Sequence, residues 1–89
     1  MPNKFSLLQN YPTPFNPNTV ISYQLSVDGF ISLKVYDIAG KEVASLVNKN
    51  QSAGYYTVEF NGANLSSGTY FYAIQAGDFK AVKKMVLLK

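Results

Sequence analysis

Asp28-Gly29-Phe30-Ile31-Ser32-Leu33-Lys34-Val35-Tyr36-Asp37-Ile38-Ala39-Gly40-Lys41-Glu42-Val43 decides the fold class. Ile31, Leu33 and Val35 alternate with Ser32, Lys34 and Tyr36, which is the period of two that a strand needs to bury one face and wet the other. Asp37 to Gly40 then offers a side-chain acceptor and a glycine, the ingredients of a tight turn, and Glu42 to Val47 returns as a shorter strand. Upstream, Asp28-Gly29 reads as a two-residue hairpin turn with both residues at positive φ. It would join this strand to Thr19-Val20-Ile21-Ser22-Tyr23-Gln24-Leu25, in which Ile21, Tyr23 and Leu25 share one face.

The same period continues outward. Asn48 to Gly54 is polar and aperiodic, so an exposed loop is expected there. Tyr56, Val58 and Phe60 alternate with Thr57 and Glu59, and Tyr70, Tyr72 and Ile74 alternate with Phe71, Ala73 and Gln75. Asn61-Gly62 and Ser67-Gly68 bracket a short connection whose one apolar anchor is Leu65. A last strand runs from Phe79 to Leu88, and Lys4 to Gln9 adds a candidate edge strand. Six or seven short antiparallel strands without a helix predict an all-β, immunoglobulin-like sandwich. A closed barrel of about eight strands would need more chain than this. Residues 1–10 read as a lead-in and 11–89 as one domain.

Composition narrows the function. At 89 residues, surface scaling gives about 5,200 Å² folded against about 14,200 Å² unfolded, enough burial for a thin core. The chain holds no cysteine and no histidine, which excludes disulfide frameworks, the common transition-metal sites and Ser/His or Cys/His nucleophilic chemistry. Asp28, Asp37, Asp78, Glu42 and Glu59 lie in separate turns and strands, so no carboxylate pair is set up for acid/base work. No catalytic residue, metal or cofactor is expected. Eight lysines without an arginine give a net charge of +3, a poor match to nucleic-acid readers, which favour arginine forks. The longest apolar run, Met85 to Leu88, is far below the ~20 residues of a spanning helix, and no secretory leader is visible at the N-terminus.

Asn10-Tyr11-Pro12-Thr13-Pro14-Phe15-Asn16-Pro17-Asn18-Thr19 packs three of the four prolines into six residues. Such a stretch is a stiff, polyproline-like or kinked lead-in that blunts a sheet edge, with Phe15 as its core anchor. It resembles the Tyr-Pro-Asn-Pro-Phe-Asn-Pro-x-Thr opening of the type A C-terminal sorting domains of the type IX secretion system, which are similar in turn to the immunoglobulin-like domain of flagellar hook-capping proteins. Pro12, Pro14, Phe15, Asn16, Pro17 and Thr19 carry the likeness, and Thr13 stands where the family usually has asparagine. Val35, Tyr36, Asp37 and Gly40 match the family's Val-Tyr-Asp-x-x-Gly. Gly54, Ser67, Gly68 and Tyr70 match its later turns, and Lys84-Met85-Val86-Leu87-Leu88-Lys89 matches its closing block.

This resemblance implies a non-catalytic export signal fused behind a cargo protein and read by the type IX machinery. It also implies release by a sortase-like cysteine protease, and a secreted or cell-surface destination after periplasmic transit. The chain then reads as a domain excised from a longer exported protein, with Lys84 to Lys89 as the recognised end. Both faces of the last strand mix lysine with apolar residues, which fits an edge; Val86 and Leu88 are expected to be half-buried there. Two other readings remain open. An accessory carbohydrate-binding module would use Phe30, Tyr36, Tyr55 and Phe71 as a platform; a structural assembly domain like the hook-capping one would self-associate.

Overall fold

The computed structural model describes residues 5–89. Seven strands follow in order: β1 (Ser6–Leu7), β2 (Asn18–Leu25), β3 (Gly29–Asp37), β4 (Glu42–Gln51), β5 (Gly54–Asn61), β6 (Gly68–Ala76) and β7 (Phe79–Leu87). They form two sheets, β1-β2-β5 and β4-β3-β6-β7, every pair antiparallel. There is no helix among the described residues. The alternating pattern thus delivers the sandwich it predicts, and β7 is an edge strand as expected. Of the candidate strand from Lys4 to Gln9, only Ser6–Leu7 pairs; Lys4 lies outside the described residues.

The core lies between the inner faces. Ile21, Tyr23, Leu25 and Phe60 of the smaller sheet meet Ile31, Leu33, Val35, Tyr72, Ile74, Met85 and Leu87 of the larger, all buried. The alternation in β3 fixes its register, because a slip of one residue would put Ile31, Leu33 and Val35 in water. At the end of β3 the Asp37 carboxylate accepts the N–H groups of Ala39 (3.0 Å) and Lys41 (2.9 Å), and Gly40 takes φ 87°, a conformation that an L side chain resists.

Two tyrosines pin the crossings between sheets. Tyr56 and Tyr70 each stand near the start of a strand, and each donates its hydroxyl to the carbonyl four residues upstream, Ser52 (2.6 Å) and Ser66 (2.7 Å). Each apolar ring thereby contributes to the interior while its polar tip ties down the preceding loop.

Three expectations are corrected. Asp28-Gly29 is not a hairpin turn, since β2 and β3 belong to different sheets and neither residue has positive φ. The Asp28 carboxylate instead accepts the Ala53 N–H at 2.7 Å, joining the two crossovers at that end of the sandwich. Asn48 to Gln51 are not loop but the second half of β4, paired with Ser32 through Gly29. Their polarity on both faces reflects an edge position; two register shifts, between Leu33/Lys34 and Val35/Tyr36, interrupt the first half of the strand. The shifts let both Val43-Ala44 and Leu46-Val47 reach the core, which strict alternation forbids. In β7 Val86 is half-buried as expected, but Leu88 is 53% exposed, because the core takes the alternate residues Met85 and Leu87.

Asp37→Ala removes two hydrogen bonds from the turn and should lower stability by about 1–2 kcal/mol with the denaturant slope unchanged. Glu42→Gln, which breaks the exposed Lys34–Glu42 pair (3.3 Å), should change it by less than about 1 kcal/mol. Urea titrations followed by circular dichroism measure both.

Candidate recognition site: the proline strap and the terminal strand

Proline brings no N–H, so a segment lying outside both sheets has fewer backbone donors to satisfy when it is proline-rich. Residues 12–19 exploit this. Tyr11 and Val20 exchange backbone hydrogen bonds of 3.0 and 2.9 Å that close the segment into a loop, and its three X-Pro bonds are cis. The Tyr11–Val20 bonds thus make the lead-in a closed loop rather than an extended segment.

Asn10 and Thr19 are the two buried polar residues among those described, and they face each other beneath the loop. The Asn10 amide donates to Thr19 Oγ1 (2.9 Å) and to the Pro12 carbonyl (3.2 Å), and Thr19 Oγ1 donates to that same carbonyl (2.9 Å). From β6, Tyr72 accepts the Asn10 backbone N–H (2.8 Å) and donates to the Leu8 carbonyl (2.7 Å). Burial raises the Tyr72 phenol above its ordinary pKa, and the Asn10 N–H offsets this only partly. The phenol thus stays protonated at neutral pH, as its double role requires. No buried side-chain polar atom lacks a partner among the described residues.

The strap grips the terminal strand through Phe15. Its N–H donates to the Val86 carbonyl and its carbonyl accepts the Leu88 N–H, both at 3.0 Å, a single parallel bridge opposite Leu87. The Phe15 ring is buried, edge-on to Phe60 with centroids 6.1 Å apart. Gln9 Nε2 adds a bond to the Lys84 carbonyl at 2.7 Å. Gly62 fits closely at this junction: a Cβ there would stand 3.1 Å from Leu87 Cδ2 and 3.3 Å from Phe15 Cε2, so those side chains would have to shift slightly. Beyond β7, the Lys89 N–H donates to Ser67 Oγ (2.9 Å) and its ammonium to the Ala63 carbonyl.

Most of the sequence-predicted residues meet at this end of the sandwich. Asp37 pairs with Tyr70, Tyr70 with Met85 and Gly68 with Leu87, so the turn through Gly40 lies at the same end as the terminal segment, which the strap and Ser67 contact directly. Gly54 does not join them; it pairs with Leu25 at the far end of β5. Phe15, Thr19, Val35, Tyr70, Met85 and Leu87 are buried, and Tyr36, Asp37, Pro17 and Val86 are half-buried. Pro12, Pro14, Asn16, Lys84, Leu88 and Lys89 are exposed. Gln9, Asn10, Phe60, Gly62 and Tyr72 are working parts of the clasp that were not among the candidates. Only Asn10, an amide next to a proline-rich stretch, carried a local signal.

The other candidate surfaces are scattered. Tyr36 and Phe71 are cross-strand neighbours, but Phe30 lies on the same face about 20 Å along β3, and Tyr55 belongs to the other sheet. The four aromatics form no common platform. A cleft of about 580 Å³, walled by Phe5, Val27, Phe30 and Phe79 with Asp28 and Asp78 at its rim, opens at the end opposite the strap.

The sandwich clasps its last strand and leaves the side chains of Lys84, Leu88 and Lys89 exposed. The family model for secretion system C-terminal sorting domains matches residues 9–88, and the chain belongs to that family. No curated protein matches its sequence.

Tyr72→Phe strands the Asn10 N–H and the Leu8 carbonyl, and should cost about 1–3 kcal/mol with faster amide exchange at Asn10. Because the folded pKa values of Tyr72 and Tyr23 are raised, their contribution is present below about pH 10 and lost as pH rises through the folded values. Thermal melts between pH 8 and 12 should show this loss, and Tyr72→Phe should reduce it.

Proposed function

We propose that the chain is a non-catalytic signal that directs an N-terminally fused cargo through the type IX outer-membrane translocon to the cell surface or medium. In this reading residues 11–89 are the sorting domain and residues 1–10 its lead-in. The machinery engages the clasped end, and a sortase-like protease detaches the cargo afterwards.

The observation that carries the proposal is the separation of the two ends. Phe5 stacks on Phe79 (5.1 Å), at the start of β7, whereas Leu88 and Lys89 are held by Phe15, Ser67 and Ala63 at its finish. A cargo attached before Phe5 therefore hangs from one pole, and the terminal segment faces outward from the other. Lys84 and Leu88 are the exposed side chains open to a reader, with Val86 partly so and Lys89 exposed while bonded to the Ala63 carbonyl. Met85 and Leu87 hold the strand in the core. Val35, Tyr36, Asp37, Gly40, Gly54, Ser67, Gly68 and Tyr70 serve the scaffold, while Pro12, Pro14 and Asn16 flank the reader's approach.

A fluorescent cargo fused ahead of the chain should reach the medium or surface of a host with a type IX system, and periplasmic retention would overturn the reading. Leu88→Asp with Lys84→Glu alters only exposed side chains. It should cut export by about tenfold or more, the effect of about 1.4 kcal/mol of lost contact, with the melting temperature nearly unchanged. Deleting Val86 to Lys89 should abolish export as well, but it also strips Leu87 from the core, so its melt must be compared with that of the double variant.

A further inference from the structure

A sheet edge exposes unpaired N–H and C=O groups, and proteins ordinarily blunt such edges with short strands, prolines, inward-pointing lysines or bulges. Three of the four edges here are treated in this way. β1 is two residues long. β7 is covered near its end by Phe15 and Gln9, and Lys83 stands on its core-side row opposite Tyr72. β4 has two register shifts and places Lys49 on the core-side row opposite Ile31.

The β5 edge has none of these devices. It runs in unbroken register with β2 from Asn61 to Gly54 and contains no lysine and no proline. Its other side has no backbone partner among the described residues. Tyr55 is 73% exposed there, and Tyr56 and Val58 are only half-buried.

We infer that the β5 edge is a docking site for the β5 edge of a second copy of this chain, paired antiparallel about a two-fold axis through Thr57. In a continuous sheet with the axis perpendicular to it, partners must lie on the same face, so the numbers of paired residues sum to an even value. Centring on Thr57 sets Thr57 against its own copy, a favourable cross-strand pair, and Tyr55 against Glu59 of the second copy. The one charge of the strand then never meets its equivalent. Centring there also spares Asn61, whose side chain accepts the Ala63 N–H (2.8 Å) to form the next turn. The result is a six-stranded sheet, β1-β2-β5 continued by β5-β2-β1. Because β5 lies across β2 from β1, pairing leaves the strap and the terminal segment free, and it is independent of the sorting function.

The chain has no cysteine, so single-cysteine variants report the register directly. Sedimentation velocity should show twice the 9.8 kDa chain mass emerging at about 0.1–1 mM, as fits so small a contact. Thr57→Lys, which sets like charges of the two copies against each other across the axis at an exposed position, should return it to monomer with the melt unchanged. Under mild oxidation Thr57→Cys should cross-link to itself, since directly opposed Cα atoms are about 4.5–5.5 Å apart. Glu59→Cys should not, its copies being about 14 Å apart along the strand, but a mixture with Tyr55→Cys should. A monomer at 1 mM overturns the proposal, as does self-linking of Glu59→Cys equal to that of Thr57→Cys. Amide protection of the β5 edge that appears only when the export machinery is added would likewise overturn it, and would assign the edge to a foreign strand.

Discussion

Phe15 makes the contact on which this molecule depends. Two backbone hydrogen bonds join it to Val86 and Leu88, and its ring fills the gap between Phe60, Leu87 and Gly62. The bonds alone would be weak, because each replaces a bond to water and nets about 1 kcal/mol. Burying the ring adds roughly 1.5–3 kcal/mol and ties those bonds to the core. Edge closure and core filling thus share one residue: the buried ring holds the Phe15 backbone where Val86 and Leu88 can bond to it.

The strap is held by polarity as much as by packing. A loop that doubles back over a core would ordinarily bury backbone groups without partners. Here Pro12, Pro14 and Pro17 contribute no donor, and the Pro12 and Pro17 carbonyls are met by Asn10, Thr19 and the Gly62 N–H. Tyr72 extends this network into β6. A buried phenol that donates and accepts is sensitive to position, since a shift of either partner leaves a group unsatisfied. Strap, connection and terminal strand are thus fixed relative to one another.

What could be read from sequence follows the same division. The β3 hairpin was legible because its signals are local: alternation in Ile31, Leu33 and Val35, then Asp37 and Gly40 at a turn. The sandwich followed from the same alternation, and the burial of Phe15 from its place as the apolar residue within a proline-rich lead-in. The second half of β4 was not legible, because at Asn48 to Asn50 this edge strand exposes both faces and so carries no apolar alternation. Asp28 was misread because an Asp-Gly pair reports a turn but not whether the chain changes sheets within it. The site was half legible. Its motif residues were visible as a set, but Tyr72, Gly62 and Gln9 belong to it only through contacts with residues distant in sequence, and no window of the chain contains both partners.

The terminal segment therefore carries two kinds of information on alternating residues. Met85 and Leu87 are committed to the core and occupy their places only when β6, β7 and the strap are assembled. Lys84, Leu88 and Lys89 remain outside, but the Leu88 and Lys89 backbone is set by Phe15 and Ser67. An unfolded copy offers the same side chains without that arrangement. On the proposed function, a reader that requires Leu88 and Lys89 at fixed positions would discriminate a folded domain from an unfolded one without contacting its core. The conformational entropy of ordering the tail has already been met by the fold, so more of each contact appears as affinity.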